Sequence, residues 1–291
     1  MNSGHIVATA QWTARFPGWK LVLVKGITLC LATLFFFTIP LHALESAITQ
    51  SSPQENSSEA RPQARSVQER ADFNTAYALQ GAATQEAAAI DFANRYPASA
   101  LRRYLYSSAM LQYQRENNPV KMLAMGERVL ALDPDNPLAL VLTATALADS
   151  LGDRDRDRDK KVNAIKHNAT RAIQSAEAGY SGGAVYKTTL QSMAYSALGI
   201  TKLKTGDDAG AEKDLKIATE LAKFRPDGHT WYHLALAQDH RKKYAAALGS
   251  VEQALQLASS DPELQKLAEV EHERLAGLAR GPRNASSTEP Q

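Results

Sequence analysis

From about residue 69 to residue 280, apolar side chains recur at intervals of three and four, the period of a helix with one buried face. The periodic stretches are interrupted by Pro134, Pro226 and Pro262, each where a helix must stop. The pattern also repeats. Shifted by 36 residues, the segment from Ser192 matches the segment from Gly228. Leu198 falls on Leu234, Ala209 on Ala245, Ala211 on Ala247 and Ala218 on Ala254. Leu221 and Ala222 fall on Leu257 and Ala258, Pro226 on Pro262, and Tyr195 on Trp231. The matches are spaced as two helix faces separated by a turn. One such hairpin cannot bury its apolar face alone, whereas stacked copies form a continuous core.

The same spacing extends backward. Residues 103–136 carry Tyr106, Ala109, Met110 and Tyr113, then Met122, Val129 and Pro134. A copy at 137–178 carries Leu140, Thr143, Ala144 and Leu147, then Ile165, Ala169 and Ala172. A more degenerate copy near 70–101 has a weakly defined first helix around Phe73–Leu79 and the second-helix string AAAIDFANRYPAS. The expectation is an all-α protein, an α-solenoid of four to five stacked antiparallel helix pairs. A capping helix closes it at 263–280, with Asp261 as N-cap, Pro262 in the first turn and Gly281 beyond the end. Leu264, Leu267, Leu275 and Leu278 are its expected inner stripe.

These copies resemble the tetratricopeptide repeat (TPR) family, and AAAIDFANRYPAS is similar to second helices of repeats from bacterial envelope proteins. Segment 192–227 supplies Tyr195, Leu198, Gly199, Ala211, Leu215 and Ala218 at the family's large and small positions. Segment 228–263 supplies Trp231, Leu234, Ala235, Ala247, Val251 and Ala254. In both, proline falls three residues late, so the turn between repeats is longer than the family's usual one. The resemblance implies a concave groove, lined by five positions of each first helix, that receives a protein or peptide segment. Those positions hold Tyr104, Ser107, Leu111, Gln114 and Arg115 in one copy, and Met193, Ile200 and Lys204 in another. In the last copy they hold His229, Tyr232, Leu236, Asp239 and His240. The Lys/Asn pair by which chaperone adaptors clamp a carboxylate is missing: Ser107/Leu111, Ser196/Ile200 and Tyr232/Leu236 occupy those places.

Composition changes the picture mainly at the start of the chain. Residues 1–43 hold Arg15, Lys20 and Lys25 without an acidic residue, then the apolar run Ile27–Ile39, then Pro40 and Ala43. That order fits a secretory signal, and Leu21–Leu41 would reach membrane-spanning length if Lys25 snorkelled. Signal peptide or retained membrane anchor, either places the body outside the cytoplasm, in a periplasmic or equivalent space. Residues 44–68 read as a flexible linker and 281–291 as a disordered tail. The chain carries +2 net, yet without those three N-terminal cations the rest has 30 basic against 31 acidic residues. A near-neutral body lacks the charge footprint for nucleic acid. The single cysteine, Cys30, forbids any disulfide framework or thiolate metal site in the body.

Three clusters invite a chemical reading. In the third copy, Leu147 and Ile165 are 18 positions apart where the others have about nine, and the surplus is the DRDRDRDKK segment, 153–161. It is an insertion in the turn between two helices, on the rim. Alternating Asp153, Asp155, Asp157 and Asp159 lack the glycine and distal glutamate of a calcium loop, and three arginines oppose a cation. It reads as a solvated turn or a self-paired helix extension. His229, His233 and His240 share a helix, the first two at chelating spacing, but Thr230 stands where a metalloprotease needs glutamate. GYSGG, 179–183, has the wrong spacing for a phosphate loop or a serine elbow and reads as a flexible connection. No cofactor is implied. The expected function is a non-enzymatic scaffold binding a protein or peptide. Behind it stand a fixed subunit of an envelope-biogenesis or secretion complex and, remotely, a metal-dependent enzyme using the three histidines.

Overall fold

The computed structural model describes residues 63–178 and 183–280. The expected signal or anchor, most of the linker and the C-terminal tail lie outside the described residues. All eleven regular elements among those described are helices. We number them α1 Val67–Tyr77, α2 Ala82–Arg95, α3 Arg102–Arg115, α4 Pro119–Leu132, α5 Pro137–Ser150 and α6 Arg158–Glu177. They continue as α7 Gly183–Lys204, α8 Asp208–Leu221, α9 Gly228–His240, α10 Tyr244–Leu257 and α11 Pro262–Ala279. Helix α1 begins at Val67, inside the stretch expected to be linker, and Gly183 of the expected glycine connection already opens α7.

Helix starts follow from local chemistry. Asn118, Asn136 and Asp261 each cap a helix whose first residue is proline, accepting a bond from the third-residue amide at 3.0–3.1 Å. Proline loses nothing there, because first-turn amides have no partner inside the helix. Ser66, Asp207 and Asp227 cap α1, α8 and α9 the same way. The turns inside four pairs each contain one residue with left-handed backbone: Gly81, Asn117, Gly206 and Lys242. Lys242, at φ 59, bears the steric cost that glycine avoids. Lys242→Gly is expected to raise stability by about 0.5–1 kcal/mol. Urea titration checks this, and a loss would mean that its stem packs on the neighbouring repeat.

Each first helix packs against its second, and each second helix against the next first helix. First helices also touch one another, α1 with α3, α5 with α7, α7 with α9 and α9 with α11. This curves the stack, with the first helices on the inner, concave side. Small residues set the approach. A methyl on Gly199 would meet Leu215 Cγ at 2.5 Å, and one on Gly126 would meet the Thr143 methyl at 2.6 Å. One apolar core runs from Ala76 to Ala237. A smaller one, built on Ala235, Ala247, Val251, Ala254, Ala268 and Leu275, closes the C-terminal end, and Trp231 touches both.

Two expectations are corrected by the packing. The inner stripe of α11 is Leu264, Ala268, Glu271 and Leu275; Leu267 and Leu278 are 49% and 41% exposed. Ile200 is not a groove residue: it is 4% exposed and belongs to the core, because α7 lies against α5 and α6 as well as α8.

Candidate functional site

The 153–161 insertion is pinned to the stack. Residues 151–157 make the turn, and Arg158–Lys161 form the first turn of α6. Asp155 accepts from the Gly152 amide at 3.1 Å and from Lys161 Nζ at 2.8 Å. Arg158 reaches Asp153 at 3.3 Å and donates to the backbone carbonyl of Lys204, the last residue of α7, at 2.5 Å. Self-pairing cancels most of the segment's charge, and the remaining tie fixes where α7 ends.

Lys204 in turn reaches back. Its Nζ donates to the carbonyls of Ala148 and Asp149, at the C-terminal end of α5, at 2.8 Å each. This is the favourable place for a cation, where helix carbonyls lack partners. Asp149 and His233 each feel the Lys204 charge, and Tyr232 stands beside His233 on α9 with Glu271 and Arg274 of α11 near its hydroxyl. Solvent reaches Asp149, Lys204, Tyr232 and His233. Protein surrounds them closely enough to shift their ionisation. Burial pushes the Asp149 carboxyl up and the Lys204 ammonium down. It also lowers His233 and raises the Tyr232 phenol. The direction is toward the neutral form in each case, as partial enclosure by protein produces.

Asp149 has no hydrogen-bond donor or ion pair among the described residues; at longer range its carboxylate feels Lys204 and His229, which favour its charge, and Asp227, which opposes it. His233 Nδ1 lies 2.8 Å from the His229 carbonyl. A carbonyl can only accept, so the proton is on Nδ1 and Nε2 is left as an acceptor. The ring of Tyr232 packs edge-on to His233 at 5.9 Å.

The other sequence-predicted residues divide into two groups. Ser107, Leu111, Met193 and Leu236 are half-buried along first helices, while Gln114 and Arg115 are exposed. Tyr104, 36% exposed, meets Phe73 edge-on at 6.5 Å, tying α3 to α1. Asp239 is held by Arg274 of α11 at 2.5 Å. The three histidines do not converge: His229 Nε2 sits 2.9 Å from Asp261, and His240 Nδ1 sits 2.9 Å from Asp208. Among the described residues, no group of three His, Cys, Asp or Glu side chains could hold a metal.

Asp149 and His233 were absent from the predicted groove set. Asp149 occupies, in the third copy, the last of the five groove positions, where Arg115, Lys204 and His240 stand in the others. The register set by Leu140, Thr143, Ala144 and Leu147 already places it there.

No family model matches the chain, and no curated protein matches it. Among solved structures, it is similar to a thermophilic TPR protein of Thermus thermophilus. The TM-score is 0.42 and the identity 16%, over 73% of this chain and 99% of that one.

Proposed function

We propose that the chain is a TPR-type scaffold that binds an extended segment of a partner protein in the concave groove of α5, α7 and α9. The observation that carries this reading is the run of first helices α5, α7 and α9 in contact with one another, which presents Lys204, Tyr232, His233 and Leu236 partly open to solvent. It combines polar groups with an aromatic ring on a rigid inner face that solvent reaches. A preformed surface loses little conformational entropy on binding. The chemistry is recognition without catalysis. The basic start and apolar run of residues 1–43 support export or tethering of the body at the cell envelope. No helix among the described residues is long and apolar enough to cross a membrane.

The test is crosslinking in the protein's own cells, wild type beside a Tyr232→Ala, Leu236→Asp variant. The variant is first shown by circular dichroism to keep its helix content. The expected result is at least one partner captured by the wild type and lost from the variant. Identical partners from both proteins would move binding to the convex face or the rim and sink the groove reading. For the address, fractionation with N-terminal sequencing is expected to find the body outside the cytoplasm, either cleaved near Ala43 or retained in membranes. A soluble cytoplasmic chain with Met1 intact would refute it.

A further inference from the structure

Exposed apolar side chains gather at one end of the inner surface. On α11, Leu267, Val270 and Leu278 are 49%, 64% and 41% exposed and fall with Arg274 on one face of the helix. Arg274 fixes where that face looks, because it reaches the groove residue Asp239 of α9 at 2.5 Å. His229 meets Asp261 where the two helices start, and Asp239 meets Arg274 about three turns further on, so α9 and α11 run parallel. One turn before the second pair stand Leu236, three residues back on α9, and Val270, four back on α11. A further turn back stand Tyr232 and Leu267. Residues three and four apart share a helix face, so the two rows lie side by side. The Tyr232 phenol accordingly feels Glu271 and Arg274 of α11. The charged groups of this strip bind one another: Arg274 holds both Asp239 and Glu271 at 2.5 Å. An occupant therefore gains mainly by covering apolar area. The opposite face of α11 is polar, with Gln265, Glu269 and Glu273 exposed, and the exposed Val120 and Val185 stand singly on other helices.

We propose that the strip between α9 and α11 selects a partner segment that carries uncharged, aliphatic side chains at alternate positions. The spacing suits an extended chain. Successive rungs of the strip, Tyr232 with Leu267 and then Leu236 with Val270, are about 5–6 Å apart along the helices. Alternate side chains of an extended segment are about 7 Å apart and point the same way, so each drops onto one rung. A second copy of the chain fits less well, because its own strip lies on a concave face and two concave faces would have to interlock. The chain's own apolar run, Ile27–Ile39, is committed elsewhere if it leaves as a signal or is held in a bilayer. The inference rests on the inner surface being the binding face; it extends that face to α11 and names what it reads.

The test uses the full chain and three fluorescein-labelled octapeptides of Gly, Ser and Gln with blocked ends. One carries two leucines at alternate positions, one carries them at adjacent positions, and one carries none. Fluorescence anisotropy is expected to rank them in that order, with about tenfold between the first and last. Val270→Glu is expected to weaken the alternate-leucine peptide about tenfold, while Val270→Ile and the distant Val185→Glu leave it unchanged. Equal binding of all three peptides would overturn the proposal. If the alternate-leucine peptide is indifferent to Val270→Glu but lost from the Tyr232→Ala, Leu236→Asp variant, α11 is no part of the site; this proposal is then wrong and the groove reading stands. If no peptide binds, the proposal falls, and the crosslinking experiment alone decides the groove reading. Sedimentation is expected to find a monomer; a dimer dissolved by Val270→Glu would make the strip a self-interface and overturn the proposal. Binding that appears only after proteolysis near Arg61 would place the chain's own run 27–39 on the strip, and would overturn it too.

Discussion

Phe92→Ala is expected to lower the unfolding free energy by about 3–5 kcal/mol and to unravel the N-terminal pair before the rest. Phe92 is the largest fully buried side chain among the described residues. Its ring lies 4.8 Å from Tyr96 and 6.1 Å from Phe73, so it is the residue through which α1 and α2 share a core. The cavity left by alanine has no neighbour able to collapse into it, because the facing Phe73 is already held by Tyr77 and Tyr104. In a stack where each repeat contacts only its neighbours, such damage stays local. The pair is joined to the next repeat by polar contacts at one end: Glu116 accepts from the Ala82 amide at 3.0 Å, and Glu86 accepts from the Tyr113 hydroxyl and pairs with Lys121 at 3.0 Å. Hydrogen exchange should therefore rise in α1 and α2 while α7 to α11 keep their protection. Uniform loss of protection along the chain would show that the solenoid unfolds as one unit.

The fold was legible because repetition multiplies a weak signal. A single pair of alanine-rich helices could be many things, but Ala211 with Ala247 and Ala218 with Ala254, kept in step with Pro226 and Pro262, leave little choice. All four alanines are fully buried between helices. Periodicity gave way where the environment, rather than the pattern, decides burial. Leu267 and Leu278 have the right spacing for an inner stripe, yet α11 turns Ala268 and Glu271 inward. Ile200 sits at a groove position, yet α7 is 22 residues long and presses on α5, which closes the core over it. Lys204 and Tyr232 were legible as groove positions, but the unpaired state of Asp149 was not. A carboxylate without a partner is defined by what fails to reach it, and sequence carries no record of that. Whether Lys204 points into the groove or back to α5 depends on two backbone carbonyls that no side-chain pattern names.

The largest acid dependence is expected from Glu212, on α8. Its side chain is 4% exposed and pairs with Lys216 at 2.9 Å, with Lys243 at 2.8 Å and with Arg241. Lys243 and Arg241 belong to the turn between α9 and α10, so one carboxylate fastens two successive repeats. Burial alone would raise this carboxyl. The hydrogen bonds and charges of Lys243 and Lys216 outweigh burial and hold it at about 2, against an ordinary 4.5. A folded-state pKa below the unfolded one means stability that is fully present above pH 4.5 and is lost as pH falls toward 2. The partners are 36–51% exposed, and solvent screening trims the contribution to about 2–3 kcal/mol. Glu212→Gln is expected to cost that amount at pH 7, since it leaves Lys216, Arg241 and Lys243 facing one another without their counter-ion. The gap between variant and wild type should then close as the wild-type carboxyl itself protonates. Urea denaturation at pH 7, 5, 4 and 3 measures it. A gap that stays constant down to pH 3 would mean that shape and hydrogen bonding, not charge, hold the two repeats together.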